Sequence, residues 1–246
     1  MGKIVSIANF KGGVGKTTSC VNIGSGLALM GKRVLLIDMD AQHNLTQSFL
    51  FNPEEHPEVT TSYEVLSEKK VNPLQIGENL HLIPSSLDLI KSETELVSAF
   101  KREYILEGIL ESVKDSFDYI IIDCPPSLGI ITINAFIASD LIFTPIEAEY
   151  LSLKGFSILS SALDNIQLEI DRVFVSKYDG RKILNQSVKN NVLEALGDKA
   201  FKTVIRSNIA LAECPTEGKS IFDYAPKSNG AKDYQDLVNE IVENYG

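Results

Sequence analysis

The chain has 246 residues, 44 % of them hydrophobic and 23 % charged, and a formal net charge of −10. These proportions suit a single domain over residues 1–246 with a sizeable core, while the acid excess argues against a body that binds nucleic acid over its whole surface. No apolar run reaches the roughly 18 residues that cross a bilayer. The N-terminus passes from Met1-Gly2-Lys3 straight into apolar residues that read as a first strand, so no signal peptide is expected. Cysteines occur at 20, 124 and 214. Their odd number and the lack of a CxxC spacing exclude a disulfide framework or a zinc site and fit a reducing, cytoplasmic setting.

The first apolar run, residues 4–9, predicts a strand, and it leads into Phe10-Lys11-Gly12-Gly13-Val14-Gly15-Lys16-Thr17-Thr18. Gly15, Lys16 and Thr17 meet the second half of the phosphate-loop pattern G-x-x-x-x-G-K-[ST], whereas its first glycine would fall on Phe10. Gly12, Gly13 and Gly15 permit a tight bend that aims main-chain N–H groups at phosphate oxygens, with Val14 and Thr18 completing the cradle. A helix predicted over 17–30, stopped at Gly31, would present its positive N-terminus to the same anion. Lys16 is then placed for the β- and γ-phosphates and the Thr17 hydroxyl for Mg²⁺, which predicts ATP with Mg²⁺ as the ligand. Lys11 stands before the glycines, badly placed to fold back on its own nucleotide but able to reach one held by a second subunit.

The next predicted strand, 33–38, ends in Asp38-Met39-Asp40. Carboxylates at i and i+2 of a strand end point the same way. Asp40 is the candidate for orienting or activating the attacking water, and Asp38 for supporting Mg²⁺ and its waters. Residues 52–79, with Pro53, Pro57 and Pro73, read as a surface excursion with a short helix near 63–66. A strand at 80–83 and helices at 87–100 and 104–114 follow. The strand at 119–123 has four apolar or aromatic residues and then Asp123, a Walker B pattern in which Asp123 holds Mg²⁺. Pro125, Pro126 and Gly129 then form a stiff segment able to sense the γ-phosphate. Strands at 141–146, 172–178 and 202–205 alternate with helices at 151–170, 189–196 and 231–244. Near-continuous Val/Ile/Leu runs between helices predict an α/β fold: a doubly wound, mostly parallel sheet with helices on both faces and ligands at the carboxyl ends of the strands. Residues 171–232 hold 11 Lys/Arg against 7 Asp/Glu, a net of +4, so this region could offer a phosphate-binding face.

With Lys11 ahead of its glycines, the loop resembles the deviant Walker A ATPases. The wider set of motifs resembles the ParA/Soj partition ATPases of the MinD/ParA superfamily over nearly the whole chain. Asp38-Met39-Asp40-Ala41-Gln42 matches D-x-D-[PA]-Q, and Ile122-Asp123-Cys124-Pro125-Pro126-Ser127-Leu128-Gly129 matches I-D-x-P-P-S-L-G. Pro145 to Tyr150 with Gly155, Tyr178-Asp179-Gly180-Arg181, and Gly218-Lys219-Ser220-Ile221 with Tyr224 and residues 227–231 complete the resemblance. It implies a hydrolase that forms a homodimer on binding ATP, with Lys11 of each chain serving its twin. It further implies non-specific DNA binding, nucleoid association when ATP-bound, and hydrolysis stimulated by a ParB-like partner, in chromosome segregation or plasmid partition.

Some positions depart from the family pattern. Two arginines expected after the last strand fall on Ser207 and Ala210. Arg206, Lys189, Lys199, Lys202, Lys219 and Lys227 are then the basic residues left for DNA phosphates. Asn208 keeps its place and is the candidate contact for adenine. The chain lacks the helix-turn-helix extension of longer partition ATPases, so operator binding is not expected. Two alternatives share the chemistry: a ParA-like ATPase positioning a non-DNA cargo, and a MinD-like membrane-surface ATPase. The second needs a basic amphipathic C-terminal helix, whereas residues 233–244 are acidic, so no membrane partner is expected.

Overall fold

Branched apolar residues that cannot be solvated on either side come together in one eight-stranded sheet. The computed structural model describes residues 2–149 and 152–246, the side chains of 152–154 excepted. β1 (Lys3–Ile7) leads into α1 (Lys16–Leu29), and β2 (Val34–Asp38) into α2 (Asn44–Gln47) and α3 (Ser62–Glu68). β3 (Leu74–Gly77) and β4 (Leu80–Ile83) precede α4 (Leu89–Glu95), α5 (Ile105–Leu110), β5 (Tyr119–Asp123) and α6 (Ile130–Ala138). β6 (Leu141–Glu147), α7 (Ser152–Asp164), β7 (Arg172–Tyr178), α8 (Ile183–Leu196) and β8 (Ala200–Arg206) follow, then α9 (Ala210–Glu213), α10 (Ile221–Tyr224) and α11 (Asn229–Tyr245).

The strand order is β3-β4-β2-β5-β1-β6-β7-β8, with every pair parallel except β3 with β4. Successive residues of one strand serve opposite layers, as a period of two requires. Leu35, Ile37, Ile120 and Ile122 face the layer that contains Leu106, Phe136 and Leu159. Val34, Leu36, Tyr119 and Ile121 face Val21, Leu27, Leu237 and Ile241 of α1 and α11. Helices therefore cover both faces, as the continuous apolar runs predict. The α1–α11 contact also carries a polar link, Tyr234 Oη to Ser19 Oγ at 2.9 Å. Ser220 and Ser228 accept N–H bonds at the starts of α10 and α11, so these two serines of the closing motif act as helix caps.

Several elements differ from the sequence expectation: the short helices α2, α9 and α10 are additional, α4, α5 and α7 end before the expected 100, 114 and 170, and β3, α6 and α8 differ further. β3 is an eighth strand inside what reads as a surface excursion, and it pairs antiparallel at the sheet edge with only partial burial. α6 was not anticipated, because Ile-Ile-Thr-Ile-Asn-Ala-Phe-Ile-Ala lacks an amphipathic period. The helix is buried on most of its surface, including Ile131, Ala135 and Phe136, so no polar stripe marks it. α8 starts at Ile183, six residues before its expected start at 189. Tyr150, the last residue of the Pro145–Tyr150 motif, and Leu151 at the expected start of the long helix lie outside the described residues. No helix among the described residues is long and apolar enough to cross a membrane.

β1 has β5 on one side and β6 on the other. The chain leaves β1 through α1 toward β2 and later returns to build the opposite wing. Such a reversal opens a crevice beyond the carboxyl ends of the central strands.

Candidate functional site

The loop between β1 and α1 is pinned from below and open above. Asn9 donates to the carbonyl of Pro145 at 2.8 Å and accepts the Lys11 N–H at 2.9 Å, anchoring the loop's start to β6. The buried Ser176 hydroxyl, on β7, donates to the Val14 carbonyl at 2.7 Å. Gly13 and Gly15 adopt φ of 74° and 96°, a left-handed backbone that a side chain would strain. Gly15 is also the N-cap of α1 and has no side chain to satisfy the first-turn N–H groups, which remain available to an anion. Val14 is fully buried, so its contribution to a ligand is its main chain.

Lys16 is largely buried at the first position of α1, and its charge acts on Asp123. Thr17, one residue further, donates its hydroxyl to Asp123 Oδ2 at 2.6 Å. Asp123 is 1 % exposed, and its other oxygen, Oδ1, is buried without a hydrogen-bond partner among the described residues. An orphaned carboxylate oxygen beside a threonine hydroxyl suits a divalent cation with its waters. Burial, and then the negative charge of Asp38, push the Asp123 carboxyl well above the usual range.

Asp38 and Asp123 are register partners on adjacent strands. Asp38 is fully buried, and desolvation raises its carboxyl too, against the lowering effect of its hydrogen bonds. Thr46 donates to Asp38 Oδ2 through both N–H and hydroxyl, at 2.9 and 2.7 Å, and the Asp40 N–H donates to Oδ1 at 3.1 Å. The expectation that Asp38 and Asp40 point the same way is corrected here. β2 ends at Asp38, whose carboxylate turns inward and ties down the following turn. Asp40 is carried by that turn to the wall of the cleft, where its Oδ1 accepts the Gln42 N–H.

Lys11 turns toward the end of β6. Its Nζ lies 2.6 Å from Glu147 Oε2 and 3.0 Å from Glu149 Oε2. The Tyr178–Arg181 motif closes on itself, with Arg181 Nε donating to Asp179 Oδ1 at 2.9 Å.

A cleft of about 950 Å³ opens over these groups, a size suited to a nucleotide. Gly12, Gly13, Gly15, Lys16, Thr17, Thr18, Asp40 and Pro126 line it. Its lining also includes residues that no motif marks, among them Gln47, Leu50, Phe51 and Thr216. Periodicity carries no signal for them, since they meet only through folding. Asn208 does not line the cleft. Its carboxamide oxygen accepts the Ala210 N–H at 2.9 Å, at the start of α9.

Three of the six basic residues expected on a DNA face are engaged elsewhere. Arg206 is closed on Asp233 by both Nε and a terminal nitrogen, the latter at 2.5 Å. Lys199 pairs with Glu169 at 2.6 Å, and Lys189 sits over the Tyr178 ring. Asp236, Glu240 and Glu243 share a groove with Arg206 and Lys202. The net positive count along residues 171–232 therefore does not become a basic face at Arg206, because α11 lays its acids against β8.

A doubly wound sheet whose first strand runs into Lys-Gly-Gly-Val-Gly-Lys-Thr, and whose β5 aspartate meets that threonine, defines a P-loop ATPase. Residues 2–176 match the family model described as an AAA domain. The chain is 42 % identical to the sporulation initiation inhibitor protein Soj of Bacillus subtilis (strain 168), over 99 % of this chain and 100 % of that one. It is 39 % identical to the chromosome-partitioning ATPase Soj of Treponema pallidum (strain Nichols), over 100 % and 99 %. In fold it is similar, with a TM-score of 0.85 and 28 % identity, to a cobyrinic acid a,c-diamide synthase from Mycobacterium smegmatis crystallised with bound ADP and magnesium, covering 100 % of this chain and 96 % of that one. The chain belongs to the AAA-domain proteins and, within them, to the ParA/Soj family of partition ATPases.

Proposed function

We propose that this ATPase binds ATP with Mg²⁺ in the cleft, pairs with a second copy in that state, holds DNA without sequence preference, and lets go when a ParB-like partner stimulates hydrolysis. It would work in the cytoplasm, on the nucleoid while ATP is bound. The observation that carries the reading is the Thr17–Asp123 contact beneath an open glycine loop. The main-chain N–H groups of Gly12, Gly13, Val14, Gly15, Lys16, Thr17 and Thr18 would receive the phosphates, and Lys16 would hold their outer oxygens. Magnesium, when bound, neutralises charge that builds up between the phosphates.

Among the described residues no group of three or more His, Cys, Asp or Glu could hold a metal. The cation would be held by Thr17, by Asp123 through water, and by the nucleotide, as is usual for Mg²⁺. Asp38 would support that site indirectly, by fixing the turn that carries Asp40. Asp40 would orient the attacking water. For Lys11 to serve a twin's nucleotide it must exchange Glu147 and Glu149 for that phosphate, which couples dimerisation to release of an ion pair. The adenine contact proposed for Asn208 would fall to its amide donors, since its oxygen is used at α9, and would need the segment after β8 to close on the cleft, which Asn208 does not line. DNA phosphates would meet Lys219 and Lys227, both exposed, in preference to Arg206.

The test is ATP turnover of the purified chain, alone and with duplex DNA and the product of a neighbouring gene, beside DNA binding over a salt series. Expected are slow turnover alone, stimulation by the partner, and ATP-dependent DNA affinity that falls steeply with salt. ATP-loaded protein without affinity for duplex at low salt would remove DNA from the cycle and leave a non-DNA cargo.

A further inference from the structure

β7 carries a lysine that none of the phosphate-loop motifs includes. Lys177 lines the nucleotide cleft together with Gly12, Gly13, Lys16 and Asp40. Its Nζ stands 4.0 Å from where a Cβ on Gly13 would be. Lys177 has φ of 50°, in the left-handed region, which residues other than Gly, Asn or Asp seldom visit. The β7–β8 pairing shifts register between Val175 and Tyr178, so the strand takes up an extra residue there. Such a bulge re-aims a side chain.

The preceding residue shows what the bulge achieves. Ser176 projects to the phosphate loop and donates to the Val14 carbonyl. In an unbroken strand the next side chain would project to the opposite face. The left-handed turn at Lys177 instead brings its ammonium to the same loop. Two consecutive residues of β7 thus address one bend, Ser176 from below and Lys177 at its open lip.

The ammonium is held loosely. Lys177 Nζ lies 3.5 Å from Glu147 Oε1, while Glu147 Oε2 is taken by Lys11 at 2.6 Å. The Lys177 side chain is 49 % exposed. One carboxylate therefore parks two lysines beside the loop, and Lys177 is the looser of the pair. Left-handed lysines also occur at Lys69 and Lys101, both exposed, but only Lys177 combines that backbone with a break in the ladder and a place in the cleft. Strain of this kind, kept at the lip of a binding cleft, points to a ligand.

We propose that Lys177 is a further phosphate-binding residue, which leaves Glu147 to contact the terminal phosphate of the nucleotide bound by its own chain. The inference rests on the proposed ATP site. It deepens that site by adding a cation from β7 to the one supplied by Lys16, and by letting the cleft distinguish ATP from ADP.

The test is titration of the full chain with Mg²⁺ and ATP, ADP or AMP, comparing the wild type with Lys177→Gly, Lys177→Arg and Lys16→Ala. Glycine accepts the left-handed backbone without strain, so Lys177→Gly removes the charge and spares the fold, and its ligand-free melting temperature should not fall. Expected is a loss of about tenfold in ATP affinity, a smaller loss for ADP, and none for AMP. Lys177→Arg should stay within about threefold of wild type because it keeps a cationic donor. Wild-type ATP affinity in Lys177→Gly would overturn the assignment, as would equal damage by the arginine variant. Intact ATP affinity with lost dimerisation would also overturn it, moving Lys177 to the twin's nucleotide. A wild-type chain that fails to bind ATP at all would instead remove the ATP site itself, and Lys16→Ala marks what that failure looks like.

Discussion

Thr17 donates its hydroxyl hydrogen to Asp123 across 2.6 Å and so joins the first turn of α1 to the end of β5. The two residues are separated by 106 positions in the chain, yet the bond ties Thr17, which lines the cleft, to the buried aspartate behind it. The bond is charge-assisted, and the second oxygen of Asp123 is left for a metal-bound water. Replacing Thr17 with Val keeps the shape and removes the hydroxyl. We expect Thr17→Val to lose about 1.5–3 kcal/mol of ATP affinity in the presence of Mg²⁺ and little in its absence. Calorimetric titration with and without EDTA checks this, and an unchanged magnesium dependence would count against the metal role of Thr17.

The neighbouring pair Asp38 and Asp123 predicts how the nucleotide-free protein responds to pH. Burial raises both carboxyls, with Asp123 pushed up to about 7, whereas an unfolded aspartate titrates near ~4. Between those values the folded chain binds protons that the unfolded chain has released. Stability therefore rises as pH falls through that window, and the full penalty of the buried charges is present above it. The ligand-free melting temperature should increase from pH 8 toward pH 5, and Asp123→Asn should flatten the slope. A melting temperature that falls steadily over that range would contradict the assignment.

Lys11, Lys16 and Asp40 should separate into three phenotypes. Lys16→Ala removes the cation that starts α1, and nucleotide-dependent behaviour should disappear. Lys11→Ala leaves the loop intact, so ATP binding should persist while dimerisation measured by light scattering is lost. Asp40→Ala should dimerise with ATP and turn over at least tenfold more slowly, since water positioning is a transition-state effect. Wild-type turnover in the Asp40 variant would refute its role.

Arg206 offers a check on the DNA surface. It satisfies Asp233, whose side chain is 7 % exposed, so Arg206→Ala leaves a carboxylate without its counter-ion. Allowing for the partly solvated guanidinium, the loss of stability should be about 1–3 kcal/mol by chemical denaturation. DNA affinity should change less than in Lys219→Ala or Lys227→Ala, and its salt slope should stay the same. A flatter slope in Arg206→Ala with unchanged stability would return Arg206 to the DNA face.

Much of this molecule was legible along the chain. The glycine loop, Lys16-Thr17, Asp123 and the parallel core are local patterns, because a phosphate bend needs consecutive glycines and a strand buried on both faces needs an unbroken apolar run. Asp38 and Asp40 look equivalent in sequence, but the strand stops between them, so one turns into the core and the other to the cleft. The charge count of residues 171–232 suggests a basic face, yet pairing of α11 with β8 consumes Arg206. Lys177 looks like any strand-end lysine until a bulge turns it to the phosphate loop. Sequence by itself determines which backbone shapes and burial patterns each segment can adopt. Partners hundreds of atoms apart along the chain, and hence which charges are cancelled and which face a ligand, are decided only when the sheet and its two helical layers close.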